Sequence, residues 1–205
     1  MLGWAGVLRL GLVNCAIGAV TVLMVSTLNR VMVVELGLPA LVPGLLVALY
    51  YLLQILRPGW GHRSDMGGRR TPLILAGIAV LSLGGTLAAS AIVLIPDLPL
   101  GGLLLSICAY AMIGTGAGAA GTSLLALVAV ATPPGRRAGA ATILWLMLVF
   151  GMASTAATVG ALLDPFSPER LMAIVGAVAA LALGLAAAAV AGSSGACPRC
   201  RPSRI

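Results

Sequence analysis

The chain has 205 residues, of which 60% are hydrophobic and only 8% are charged, and its mean hydropathy is +1.13. An ordinary soluble domain carries about 25% charged residues, so this composition excludes a water-soluble globular fold. It also excludes an intrinsically disordered chain, because disorder requires low hydrophobicity and many charges. The class that remains is a helical integral membrane protein.

The formal net charge of +7 is due to arginine, since all 12 basic residues are arginine and lysine is absent. The arginines fall between apolar runs, which is typical of a topology signal, so we expect no nucleic-acid partner. Two of the four cysteines, Cys15 and Cys108, lie within apolar runs, and the other two lie in the tail. Cys197 and Cys200 have half of a zinc-site spacing without a second Cys or His pair, so we expect no metal site.

Six apolar runs approach the length of about 20 residues that a helix needs to cross the hydrocarbon core. Proline- and glycine-containing segments separate them and are expected to break the helices. The predicted spans are residues 10–36, 40–56, 73–95, 100–131, 140–163 and 171–191. We therefore predict an all-α membrane protein, with residues 1–191 forming one six-helix transmembrane bundle. Residues 192–205 are predicted to be a short, basic, disordered tail.

The arginines are distributed unequally between the two sides of this arrangement. Ten of the 12 lie on one side, and two, Arg30 and Arg170, lie on the other. The side with more arginine in short loops is normally cytoplasmic. Both termini, and therefore the tail, are predicted to be cytoplasmic.

A glycine-rich basic segment joins the second and third spans. Its pattern is Gly61, three residues, Asp65, two residues, and then Gly68, Arg69 and Arg70. This segment resembles the signature loop of the major facilitator superfamily, and it follows the second helix on the cytoplasmic side as that loop does. The resemblance implies six helices equivalent to the N-terminal half of that fold, with Asp65 in a latch between the two halves. The alternative is a solvated loop that only sets topology.

Two further runs narrow the resemblance. Residues 28–32 read Leu-Asn-Arg-Val-Met, and residues 61–65 read Gly-His-Arg-Ser-Asp. Both resemble the PucC/LhaA group of bacteriochlorophyll-delivery and light-harvesting-assembly proteins of phototrophic bacteria. The resemblance covers residues 10–190 and corresponds to the N-terminal half of a family member. It implies an assembly factor in the bacterial inner (intracytoplasmic) membrane that handles bacteriochlorophyll or nascent antenna subunits.

Polar side chains within the spans are costly in lipid and are therefore candidates for function. On a helical wheel, four polar residues share one face of span one, and Arg30 lies on the opposite face. The four are Asn14, Thr21, Asn29 and Glu35. Tyr50 and Gln54 of span two are one helical turn apart and are expected to line the same cavity, unless they only make interhelical hydrogen bonds. Arg30 is expected to anchor an interface or to form an ion pair.

No nucleophile–base pair or phosphate-binding loop is evident, so we expect neither an enzyme nor catalytic residues. Bacteriochlorophyll as a ligand is implied by the resemblance alone, because no span contains a histidine. The alternatives are a half-size small-molecule transporter of the superfamily and a truncated, nonfunctional fragment. We also expect the polar face of span one to meet lipid in a monomer. The expected partners, besides membrane lipid, are therefore a second six-helix unit, antenna polypeptides or a second copy of the chain.

Overall fold

The computed structural model describes residues 3–55, 57 and 70–191, and within these ranges the chain is helical and contains no strand. The helices are α1 (Trp4–Glu35), α2 (Leu41–Gln54), α3 (Arg70–Leu94), α4 (Pro99–Ala131), α5 (Arg137–Leu162) and α6 (Pro168–Ala191). All except α2 are long and apolar enough to cross a membrane. The described part of α2 has 14 residues, or about 21 Å of helix. The prediction of an all-α, multi-pass membrane protein is confirmed.

The first helix begins earlier than predicted, at Trp4 instead of residue 10. The predicted span begins directly after Arg9, but the structure includes Arg9 in α1 and places its side chain on the surface of the helix. Its guanidinium donates a hydrogen bond of 3.2 Å to the carbonyl oxygen of Ala188, near the C-terminal end of α6. A cation is favourable there because the last carbonyl groups of a helix lack partners within the helix.

The turn between α1 and α2 depends on a glycine in the left-handed region. Gly37 has a φ of 63°, which side chains with a Cβ rarely adopt. The N–H of Leu38 donates to the carbonyl oxygen of Met32 at 3.0 Å, which closes the end of the helix. The closure resembles a Schellman motif, but its hydrogen bond spans one residue more than in that motif.

The second half of α1 is wound more widely than an α-helix. Two π-helical segments, Leu23–Leu28 and Val31–Glu35, interrupt it. In a π-helix the hydrogen bonds join residues five apart, so residues with that spacing lie on one face. Tyr110 of α4 is fully buried, and its hydroxyl donates to the carbonyl oxygen of Met24 at 3.1 Å. The tyrosine thus pairs with a main-chain carbonyl of the widened helix.

Small residues let the helices pack at backbone contact. Between α3 and α4, a Cβ added at Gly116 would lie 2.6 Å from the main-chain nitrogen of Leu81, and one added at Gly77 would lie 2.7 Å from that of Ala120. Gly114 faces α2 instead, and a Cβ added there would lie 3.1 Å from the carbonyl oxygen of Tyr50. These approaches explain Gly114 and Gly116 of α4, because a larger residue at either position would separate the helices.

Helices α1 and α5 also touch through their backbones. A Cβ at Gly18 would collide with the carbonyl oxygen of Leu148, and one at Gly151 would collide with that of Cys15. The remainder of α5 is largely uncovered and presents large apolar side chains to the surroundings of the bundle. Among them are Trp145, Leu146, Val149 and Phe150.

The two ends of the bundle differ in charge. At one end, which we call the Trp4 end, the Arg136 guanidinium lies over the Trp4 ring, 5.7 Å from its centroid. Arg9 and Arg57 also belong to this end, since α2 runs from the Gly37 turn back toward it. The opposite end, the Glu35 end, carries Arg30 and Arg170. The predicted segregation of arginine is therefore seen among the described residues, and the sidedness of the membrane stays a prediction.

Candidate functional site

The predicted signature loop falls mainly outside the residues that the structure describes. Gly61, Asp65, Gly68 and Arg69 belong to this undescribed segment, and Arg70 is the first residue of α3. The role expected for Asp65 stays a prediction.

The structure does not bring the predicted polar face together into one cavity. Asn14 is only 8% exposed, and its side-chain amide donates a 2.7 Å hydrogen bond to the carbonyl oxygen of Leu144 on α5. The expectation that Asn14 meets lipid in a monomer is therefore wrong, because the bundle itself covers this side chain. Asn29 is half-buried and is not among the residues that line the pocket described below.

Three of the predicted residues lie together with Arg57 in a group that we call the Tyr50 cluster. Its members are Thr21, Tyr50, Gln54 and Arg57. Tyr50 is buried, and its side chain lies near those of Thr21 and Gln54. The Nε of Arg57 donates to the side-chain oxygen of Gln54. The amide nitrogen of Gln54 is buried and has no partner in the described part of the chain. A buried donor without an acceptor costs about 1–3 kcal/mol, so this nitrogen is a candidate contact for a ligand oxygen.

Two predicted residues, Arg30 and Glu35, line a pocket at the Glu35 end, between α1 and α5, with a volume of about 110 Å³. We call it the Arg30 pocket. Its lining residues are Ser26, Thr27, Arg30, Val31, Glu35, Ala156, Gly160, Leu163, Asp164 and Phe166. The placement of Arg30 and Glu35 on opposite faces is therefore wrong. The wheel assumed α-helical geometry, whereas the π-helical turn puts residues five apart on the same side.

Sequence reasoning missed the other polar residues of this pocket, Ser26, Thr27 and Asp164. A usable signal was present for one of them. Asp164 directly follows the fifth predicted span, on the same side of the membrane as Arg30, and this placed both charges near one boundary. That α1 and α5 are neighbours could not be read from the sequence.

The Arg30 pocket cannot hold a tetrapyrrole ring. Sites for drug-sized ligands occupy about 300–1,000 Å³, several times the 110 Å³ found here. In the described ranges, no group of three or more His, Cys, Asp or Glu side chains is placed to hold a metal ion.

Comparison with known proteins decides the family. Residues 27–195 match the family model described as PUCC protein. The chain belongs to the PUCC protein family. This confirms the resemblance drawn from residues 28–32 and 61–65.

The chain is similar to several curated PUCC-family relatives. It is 60% identical over 191 residues to the bacteriochlorophyll synthase 44.5 kDa chain of Rhodobacter capsulatus, covering 93% of this chain and 45% of that protein. It is 31% identical over 184 residues to Protein PucC of Cereibacter sphaeroides, covering 84% of this chain and 40% of that protein. The chain thus spans less than half the length of these relatives. No solved structure matches it.

Proposed function

We propose that this PUCC-family chain forms part of an integral-membrane assembly factor for light-harvesting complexes, handling bacteriochlorophyll or nascent antenna helices. The observation that carries the proposal is the match to the PUCC family, with 60% identity to a protein named for bacteriochlorophyll. The name of that relative refers to synthesis. We favour assembly because Protein PucC of Cereibacter sphaeroides, which is also similar over most of this chain, is not named as a synthase.

The exposed face of α5 is the surface we propose for this work. Trp145, Leu146, Val149 and Phe150 are each 55–68% exposed and lie on one stripe of the helix. An apolar, aromatic stripe of this kind suits a pigment ring or an antenna helix that approaches from the lipid phase. The small volume of the Arg30 pocket supports handling at a surface of the bundle.

We further propose that the Trp4 end faces the cytoplasm of a phototroph's inner (intracytoplasmic) membrane. The excess of arginine at that end supports this orientation. Reporter fusions at Gly67 and Gly135 should behave as cytoplasmic, and fusions at Asp97 and Asp164 as periplasmic. A reversed pattern at either pair would contradict the orientation.

A partner is proposed as well, either a second six-helix unit or an antenna polypeptide, with a second copy of the chain as the third option. The curated relatives are more than twice as long as the aligned part, which supports a second unit. The exposed stripe of α5 supports a helix that packs there. Asn14 gives no support for a partner, because the bundle itself covers that side chain.

The test is antenna assembly in a phototroph that lacks its own copy of the gene and expresses this chain or a variant. Replacing both Trp145 and Phe150 by Ala should reduce the near-infrared antenna bands, while the protein still accumulates in the membrane. The matched control is Leu181→Ala on α6, which removes a side chain of similar exposure, 66%, from another helix. Normal antenna bands in the α5 double variant would refute the proposed surface. A colourless purified protein that moves a solute into vesicles would instead support the transporter alternative.

A further inference from the structure

The Arg30 pocket lies at the level of the lipid headgroups. Helix α1 has 32 residues, or about 48 Å of helix, whereas the hydrocarbon core is about 30 Å thick. A centred α1 therefore extends about 9 Å beyond the core at each end. Arg30 is five residues before the end of the helix, which is about 7 Å along its axis, so its side chain lies at the boundary.

The pocket combines charges of both signs without pairing them. Arg30, Glu35 and Asp164 all line it, and among the described residues none of the three takes part in a salt bridge. Ser26 and Thr27, which lie one helical turn before Arg30, line the same pocket with hydroxyl-bearing side chains. A ligand that pairs with groups of both signs must carry both an anion and a cation.

We propose that the Arg30 pocket binds a zwitterionic phosphoethanolamine group, and specifically the headgroup of an ethanolamine phospholipid in the leaflet at the Glu35 end. The guanidinium is the natural partner of the phosphate, with the two hydroxyls as further donors. The carboxylates of Glu35 and Asp164 accept the three N–H donors of a primary ammonium. A choline headgroup has no such donors, and a purely anionic headgroup would meet two carboxylates for one guanidinium.

The size of the pocket fits a headgroup. A volume of about 110 Å³ is roughly ten times what a single water molecule needs, so a polar group of several heavy atoms can enter. Ser26, Arg30, Glu35 and Asp164 are exposed, so the pocket opens outward, and acyl chains can lie outside it along the bundle.

Gly160 provides a way to close the pocket without disturbing the fold. A Cβ added at Gly160 meets nothing within 4 Å, although this residue lines the pocket. Gly160→Leu should therefore fill the pocket while the helices keep their packing. Gly184 on α6 is equally open, and Gly184→Leu is the matched control.

The experiment measures lipid retention by the full chain in mild detergent, using native mass spectrometry after titration with defined lipids. Phosphatidylethanolamine should be retained about tenfold more strongly than phosphatidylcholine, corresponding to one charge-assisted hydrogen bond. The preference should disappear in Gly160→Leu and in Arg30→Gln, and it should survive in Gly184→Leu.

A second variant tests the carboxylates separately. The double variant Glu35→Gln, Asp164→Asn should shift the preference from phosphatidylethanolamine toward phosphatidylglycerol, because the guanidinium then remains as the only charge. Soluble glycerophosphoethanolamine distinguishes the source of the headgroup, and it should compete only weakly, since it lacks acyl chains. Competition at the same concentration as the lipid would overturn the assignment to a phospholipid. Equal retention of all three lipids, or an unchanged preference in Gly160→Leu, would overturn the site itself.

Discussion

Replacing Gly151 by alanine should destabilise the bundle far more than a single methyl group normally does. The added Cβ would collide with the carbonyl oxygen of Cys15, a main-chain atom of α1 that cannot rotate away. Relieving the collision requires α1 and α5 to separate by about 1 Å, which forfeits about a quarter to a half of the dispersion energy of the atoms at that contact. Overpacking of this kind costs about 1–3 kcal/mol.

The separation should also weaken the hydrogen bond from Asn14 to Leu144, which joins the same two helices at 2.7 Å. Interhelical hydrogen bonds in membrane proteins contribute about 0.6 kcal/mol on average. For a chain of this length, a loss of 1 kcal/mol lowers the melting temperature by about 2–4 °C. We therefore expect Gly151→Ala to melt about 3–14 °C lower than the parent chain, measured by tryptophan fluorescence during heating in detergent.

The control lies on the same helix. Gly160 faces open space, so Gly160→Ala adds the same methyl group without a collision and should gain up to about 1 kcal/mol of helix propensity. The two variants should therefore shift the melting temperature in opposite directions. Equal shifts for both would show that α1 and α5 are not in backbone contact, and would refute the packing described for this pair.

Three further substitutions test individual contacts by the same thermal measurement. Asn14→Leu should lose about 0.6–1.7 kcal/mol, since it removes the interhelical hydrogen bond, and no change in melting would show that this bond contributes nothing. Tyr110→Phe removes the donor to the Met24 carbonyl and should lose about 1 kcal/mol, with faster amide exchange in the π-helical part of α1 as a second readout. Gly37→Ala forces a side chain into the left-handed region at a cost of about 1–2 kcal/mol, and a neutral result would mean that the turn has another conformation.

Among the described residues, the sequence determined the six helices with their approximate ends, and it also determined the family. Apolar length, proline and glycine at the breaks, and the positions of arginine are properties of each segment alone, and a bilayer selects segments on those properties. The start of α1 was the exception. A single charge such as Arg9 ends an apolar run in the sequence, but it does not end a helix when a neighbouring helix offers carbonyl oxygens to it.

Only the tertiary structure decided which polar residues meet. Asn14, Thr21, Tyr50 and Gln54 had all been assigned to one cavity. In the structure Asn14 contacts α5, whereas Thr21 lies near Tyr50 and Gln54 of α2. Arg30 and Glu35 came to share a pocket because the end of α1 is π-helical. A helical wheel has a fixed angle per residue, whereas the winding of α1 changes from α-helical to π-helical along its length. The angular position of a side chain on a membrane helix is therefore set by packing between helices, which the sequence of one helix does not contain.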